Sequence, residues 1–91
     1  MEIYSDQFGR VIYLTITPQA IRLDLQDLSP GFEYERSATV SDLPAVCTAL
    51  KITFEELESK LISMLENQMT AFDLFTEFLD NHQIYFDYYS G

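Results

Sequence analysis

At Ser41 the spacing of apolar residues changes from two to about three and a half, which puts a sheet in the first half of the chain and helices in the second. Before the change, Ile12, Leu14 and Ile16 alternate with Val11, Tyr13, Thr15 and Thr17, and Ile21, Leu23 and Leu25 alternate with Arg22, Asp24 and Gln26. Phe32, Tyr34, Ala38 and Val40 repeat the pattern against Glu33, Glu35, Ser37 and Thr39. The connections are short. Pro18-Gln19 suits a turn with proline in second place, and the segment LSPG breaks the next pair apart. Strands with one apolar and one polar face, joined this way, form an antiparallel meander with one face left to solvent. Ile3 and Tyr4, ahead of Phe8-Gly9, can add a short first strand, so residues 1–40 read as a meander of three or four strands.

After Ser41 the chain reads as helix. Ser41 or Asp42 can cap, Pro44 sits in the first turn where a missing N–H costs little, and Leu43, Val46, Cys47 and Leu50 share one face of a short helix ending near Lys51. Thr53 followed by Glu56 is a capping box that opens a long stretch from Phe54 to Asp80. On a helical wheel Phe54, Leu57, Leu61, Met64, Leu65, Phe72, Phe75, Phe78 and Leu79 take one side. Glu55, Ser59, Glu66, Thr70, Asp73, Glu77 and Asp80 take the other, with Ile62 the one apolar intruder. Gln68 falls inside the apolar face, where a polar residue must find a partner or mark a break. An unbroken helix of this span would run about 40 Å, long for so small a domain. A break near Asn67 is therefore expected, with Thr70 able to cap the second piece.

Beyond Asn81, Ile84, Phe86 and Tyr88 alternate with Tyr85, Asp87 and Tyr89. This suits a strand returning to the sheet better than a frayed helix end. The expected fold is α+β in a single domain over residues 1–91: a meander (1–40), two or three helices packed on one face (41–82), and a terminal strand or tail (83–91). A chain of 91 residues supports one modest core.

Charge narrows the function. Fifteen acidic residues against five basic ones leave a formal net charge of -10. Such a chain repels nucleic acid, whose phosphates need Lys and Arg, and attracts basic surfaces at long range. The opposing account is that the charge only keeps the protein soluble. Cys47 is the single cysteine, so no internal disulfide or thiolate metal cluster can form, and Cys47 itself suits a small buried hydrophobe. The opening MEIYSDQF lacks the basic and apolar regions of a signal peptide, and no run approaches membrane-spanning length. A cytoplasmic protein without membrane contact is the expectation.

Catalytic patterns are missing from the sequence. His82 is the one histidine and follows a helix end, with no nucleophile motif to accompany it. The acidic stretch lacks the Glu-x-x-His spacing of bundle metal sites and the ligand order of an EF-hand loop, and three scattered glycines cannot cradle a phosphate. Asp73 and Glu77, one turn apart, would be the pair to hold a divalent cation, as would any such acidic pair. The run LPAVCTALKITFEELESKL has the cadence of a helix-turn-helix, but its second helix would carry Glu55, Glu56 and Glu58 into a phosphate-lined groove. No enzyme, cofactor or metal is expected.

What remains is an acidic face. Asp73, Glu77 and Asp80 project together, and from Leu61 to Gly91 there are Glu66, Asp73, Glu77, Asp80 and Asp87 but no Lys or Arg. Like charges so spaced destabilise a helix by tenths of a kcal/mol per pair, a cost that a docking site for a basic partner would explain. Tyr85, Tyr88 and Tyr89 are of a type enriched where interfaces concentrate their energy. The expected partner-binding residues are thus Glu66, Asp73, Glu77, Asp80, Tyr85, Asp87, Tyr88 and Tyr89. In size, charge and aromatic content the chain is similar to the immunity proteins that neutralise nuclease toxins, and to the nucleic-acid-mimicking inhibitors of restriction or CRISPR enzymes. That resemblance implies inhibition of a basic nucleic-acid enzyme by covering its substrate cleft. An immunity protein comes first and a phage-type mimic second, with an acidic chaperone or adaptor subunit of a larger assembly as the alternative of another class.

Overall fold

Strands form where the two-residue period falls, and helices where it gives way. The computed structural model describes residues 1–31 and 33–91, so the alternation expected at Phe32 lies outside the described residues. The elements are β1 (Glu2–Ser5), β2 (Arg10–Ile16), β3 (Ile21–Asp27), β4 (Tyr34–Val40), α1 (Leu43–Leu50), α2 (Leu57–Leu65), α3 (Ala71–Asn81) and β5 (Asp87–Ser90). The strands make one antiparallel sheet in the order β1-β2-β3-β4-β5, and the helices cover one of its faces. The α+β architecture expected from the sequence is the observed one, and both the short first strand and the returning last strand are present.

Local chemistry fixes the joints. Asp6 Oδ1 accepts the amides of Phe8 and Arg10, and Gly9 takes a positive φ of 106° where a Cβ would meet the backbone of Leu28 at 3.0 Å. Thr17 and Ala20 close the Pro18-Gln19 turn through the Thr17 amide and hydroxyl. Asp42, rather than Ser41, caps α1 by accepting the Ala45 amide, and Lys51 ends it in the left-handed region. The Thr53–Glu56 capping box is formed, but it opens a 3-10 turn over Phe54–Glu56 before α2 begins. Phe54 therefore lies off the apolar face assigned to it and is 48% exposed.

The long amphipathic stretch breaks as expected. Glu66 leaves the helix in an extended conformation and Asn67 adopts a φ of 60°. At the break the Gln68 side chain finds a partner, its Nε2 donating to the Met64 carbonyl at 2.6 Å, and the main-chain N–H of Asn67 donates to the Ile3 carbonyl at 2.9 Å. Thr70 stands at the start of α3 without a capping hydrogen bond from its side chain.

The helix-covered face of the sheet is built in rows. Ile16, Ile21 and Val40 pair across β2, β3 and β4, as do Leu14, Leu23 and Ala38, and these meet Leu57, Leu61, Phe72, Phe75 and Leu79 in the core. Toward the end where α3 begins, the same face turns polar. The next row is Ile12, Leu25 and Arg36, and the last is Arg10, Asp27 and Tyr34. All buried side-chain polar atoms of the described residues have hydrogen-bond partners.

Candidate docking surface

Helix α3 buries Ala71, Phe72, Phe75 and Leu79 and turns Asp73, Glu77 and Asp80 to solvent. The chain then reverses through Gln83, whose φ is 56°, and buries Ile84 before returning as β5 beside β4. The strand is shorter than the alternation from Ile84 implies. It pairs Asp87 with Thr39, Tyr88 with Ala38, Tyr89 with Ser37 and Ser90 with Arg36. Register thus sends Tyr88 to the helix-covered face and Tyr89 to the open one.

Arg36 ties α3 to β5. Its Nε donates to the Tyr88 hydroxyl at 2.9 Å and its Nη1 to Asp73 Oδ1 at 3.2 Å, while the guanidinium lies 4.6 Å from the centroid of the Phe72 ring. The Phe72 and Tyr88 rings meet edge to face at 6.2 Å. Burial pulls the Arg36 pKa down, but its bonds to Tyr88 and Asp73 outweigh this and the net shift is upward. The Arg36 hydrogen bond, with a further one from Ser90, holds the Tyr88 phenol below its usual range. Tyr85 donates to Asp87 Oδ1 at 2.7 Å, and that bond, with the carboxylate's charge, pushes its phenol up.

Most of the residues expected to bind a partner therefore share one region. Asp73, Glu77 and Asp80 lie along α3, and Tyr85, Asp87, Tyr88 and Tyr89 lie on and before the strand that Arg36 fastens to it. Glu66 does not join them. It precedes Asn67, which is bonded to β1 at the opposite edge of the sheet. Nor is Asp73 a bare carboxylate, because Arg36, distant in sequence, comes to it across the sheet. The signal for Arg36 in the sequence is its inward register position between Tyr34 and Ala38. A charged residue at such a position calls for partners. Tyr13, on the solvent side of the β2 alternation, also belongs to this region. With Tyr89 it flanks a groove of about 470 Å³ on the open sheet face, above Arg22, Asp24 and Ser37.

Cation placement leaves this region negative. Each arginine is committed to a carboxylate, Arg10 to Asp27, Arg22 to Asp24 and Arg36 to Asp73, and Lys51 and Lys60 lie outside α3 and β5. Among the described residues no group of three or more His, Cys, Asp or Glu side chains is placed to hold a metal ion, and no helix is long and apolar enough to cross a membrane. No protein-family model, curated protein or solved structure matches this chain.

Proposed function

We propose that this protein is an inhibitor that acts by binding, in the cytoplasm, to a basic nucleic-acid enzyme, and that it is an immunity protein against a nuclease toxin. One observation carries the reading: three carboxylates of α3 stand in solvent beside exposed tyrosines on and just before β5, Tyr85 at 74%, Tyr88 at 51% and Tyr89 at 57% exposure. Carboxylates lose little by facing water alone. Tyrosines so exposed gain from being covered, and a basic cleft would cover them while pairing Glu77 and Asp80. The net charge of -10 would steer such an encounter from a distance.

The test uses the protein encoded beside this chain's gene, purified as a nuclease. A stoichiometric complex that stops cleavage is expected, formed more slowly as salt is raised. Full nuclease activity at saturating concentrations of this chain removes the reading. So does specific, salt-sensitive retention of an oligonucleotide by this chain alone, because an acidic surface that binds phosphates is not the one described here.

A further inference from the structure

The two edges of the sheet are finished differently. On β1 the register shifts between Glu2 and Tyr4, and the Ile3 carbonyl accepts the Asn67 amide, so the turn between α2 and α3 closes that edge. Bulges and covering loops are the usual means of blocking strand addition. On β5 neither device is present. The paired amides and carbonyls of Glu35 and Gly91, each bond 2.9 Å, set the ladder's phase. Antiparallel pairing alternates, so Asp87 and Tyr89 also turn their backbone groups toward β4, while Tyr88 and Ser90 turn theirs outward. No described residue bonds to those outward groups. The strand, DYYS, carries no Lys or Pro to discourage pairing.

We infer that β5 accepts an extended, basic segment of the partner as a sixth strand. This rests on the docking surface proposed above and specifies how that surface is used. The outward N–H and C=O of Tyr88 and Ser90 supply the main-chain bonds. Charge selects the occupant. Asp73 is turned toward β5 by Arg36, and Asp80, two helical turns further on, lies on the same flank of α3. Asp87 stands on the other face of the strand. A segment lying along β5 with Lys or Arg at alternate positions sets its cations on the helix flank, beside Asp73 and Asp80, and its intervening residues on the face of Asp87. A second copy of this chain would set carboxylate against carboxylate instead.

The test is an amide-resolved titration of the isotope-labelled protein. The probe is a capped peptide of alternating Lys and Val, beside the same peptide with all its backbone amides N-methylated, which keeps the charge and removes the donors. Resonance shifts and slowed hydrogen exchange centred on Tyr88 and Ser90 are expected with the first peptide only. Ser90→Pro deletes one outward N–H without touching the bonds to β4, and should weaken binding roughly tenfold while Ser90→Ala does not. Equal binding of the two peptides would overturn strand addition and leave docking by charge intact. Binding of neither would overturn it too, with the nuclease assay still deciding the inhibitor reading separately. Protection of Tyr88 and Ser90 without peptide, together with concentration-dependent sedimentation, would assign the edge to a second copy and overturn the inference.

Discussion

Arg10 and Arg36 are two versions of one device with different surroundings. Both sit at inward register positions near the same end of the sheet, and both reach to the beginning of α3. Arg10 donates to Asp27 at 3.1 Å, to the Tyr34 hydroxyl at 2.7 Å and to the Met69 carbonyl at 2.9 Å. Its main partner is enclosed, with the Asp27 side chain 9% exposed. Arg36 is nearly as sheltered, at 27%, but its carboxylate partner Asp73 is 55% exposed and Tyr88 stands half out of the protein. The Arg10 cluster is finished as it stands. The Arg36 cluster has donors inside and partners outside, and a partner protein can extend it. A buried charge network alone does not mark a functional site; the exposure of its far end distinguishes the two.

The largest effect on the folded chain should come from Arg10→Met. Removing one partner of an enclosed pair strands the other, so a loss of roughly 2–4 kcal/mol is expected. For a domain of this size that is a fall in melting temperature on the order of 10–20 °C. A change of only a few degrees would place Arg10 in the same class as Arg36. Acid probes the same cluster. The Ser29 hydroxyl and amide, and then Arg10, hold the Asp27 carboxyl below its usual range. A carboxylate with a lowered folded pKa contributes stability at neutral pH that disappears as pH falls through the folded value. The melting temperature should accordingly drop below about pH 4, and less steeply in Asp27→Asn, as followed by thermal unfolding across an acid series.

Arg36→Gln should cost less, about 1 kcal/mol, because its ion-pair partner is open to solvent and, of the two rings it faces, Tyr88 is half exposed. The effect should be local. Amides of β5 should exchange faster while those of β2 and β3 do not, and equal loosening of all strands would contradict a local role for Arg36. The phenol gives a second reading. With its folded pKa lowered, Tyr88 should ionise before Tyr4 and Tyr85, whose phenols are pushed up by hydrogen bonds to Asp6 and Asp87. Since the phenolate is favoured in the folded state, this group adds stability as pH rises through its folded value toward about 10. Alkaline absorbance titration, with Tyr88→Phe to assign the first step, should show that step move up in Arg36→Gln.

Smallest for the fold is the pair Glu77→Gln with Asp80→Asn. Stability should stay within a few tenths of a kcal/mol, or rise as repulsion is relieved. Affinity for a basic partner should nevertheless fall by several-fold or more and lose salt dependence, measured as association rate at two salt concentrations. Adding Asp73→Asn should bring a stability cost that the first two changes lack, because Asp73 holds Arg36. Unchanged affinity with unchanged salt dependence would reduce the α3 carboxylates to ordinary solvated surface.

The sequence by itself determined most of what depends on neighbours along the chain, the 3-10 turn at Phe54 and the uncapped Thr70 excepted. Alternation at Ile12, Leu14 and Ile16 and at Ile21, Leu23 and Leu25 fixed strands and their inward faces, since side-chain direction follows from backbone period alone. A cap at Ser41 or Asp42, the Thr53–Glu56 box and the break at Asn67–Gln68 were legible because each is closed by groups a few residues away or by a polar residue that cannot remain buried alone, although only the structure chose Asp42. Even the acidic line of α3 was visible, as a spacing. Tertiary structure decided which of those carboxylates are free and which edge is open. Arg36 and Asp73 are 37 residues apart, and Ile3 and Asn67 lie still further apart in sequence. Such contacts exist only once the sheet order is set. Sheet order put β5 beside β4 rather than β1, brought a cation to Asp73 but not to Glu77 or Asp80, set Glu66 at the far edge, and left the outward amides of Tyr88 and Ser90 without a neighbour. Periodicity carries the direction of each side chain, whereas pairing across the sheet is set by which long-range contacts bury the most apolar surface while satisfying Arg10, Asp27 and Arg36.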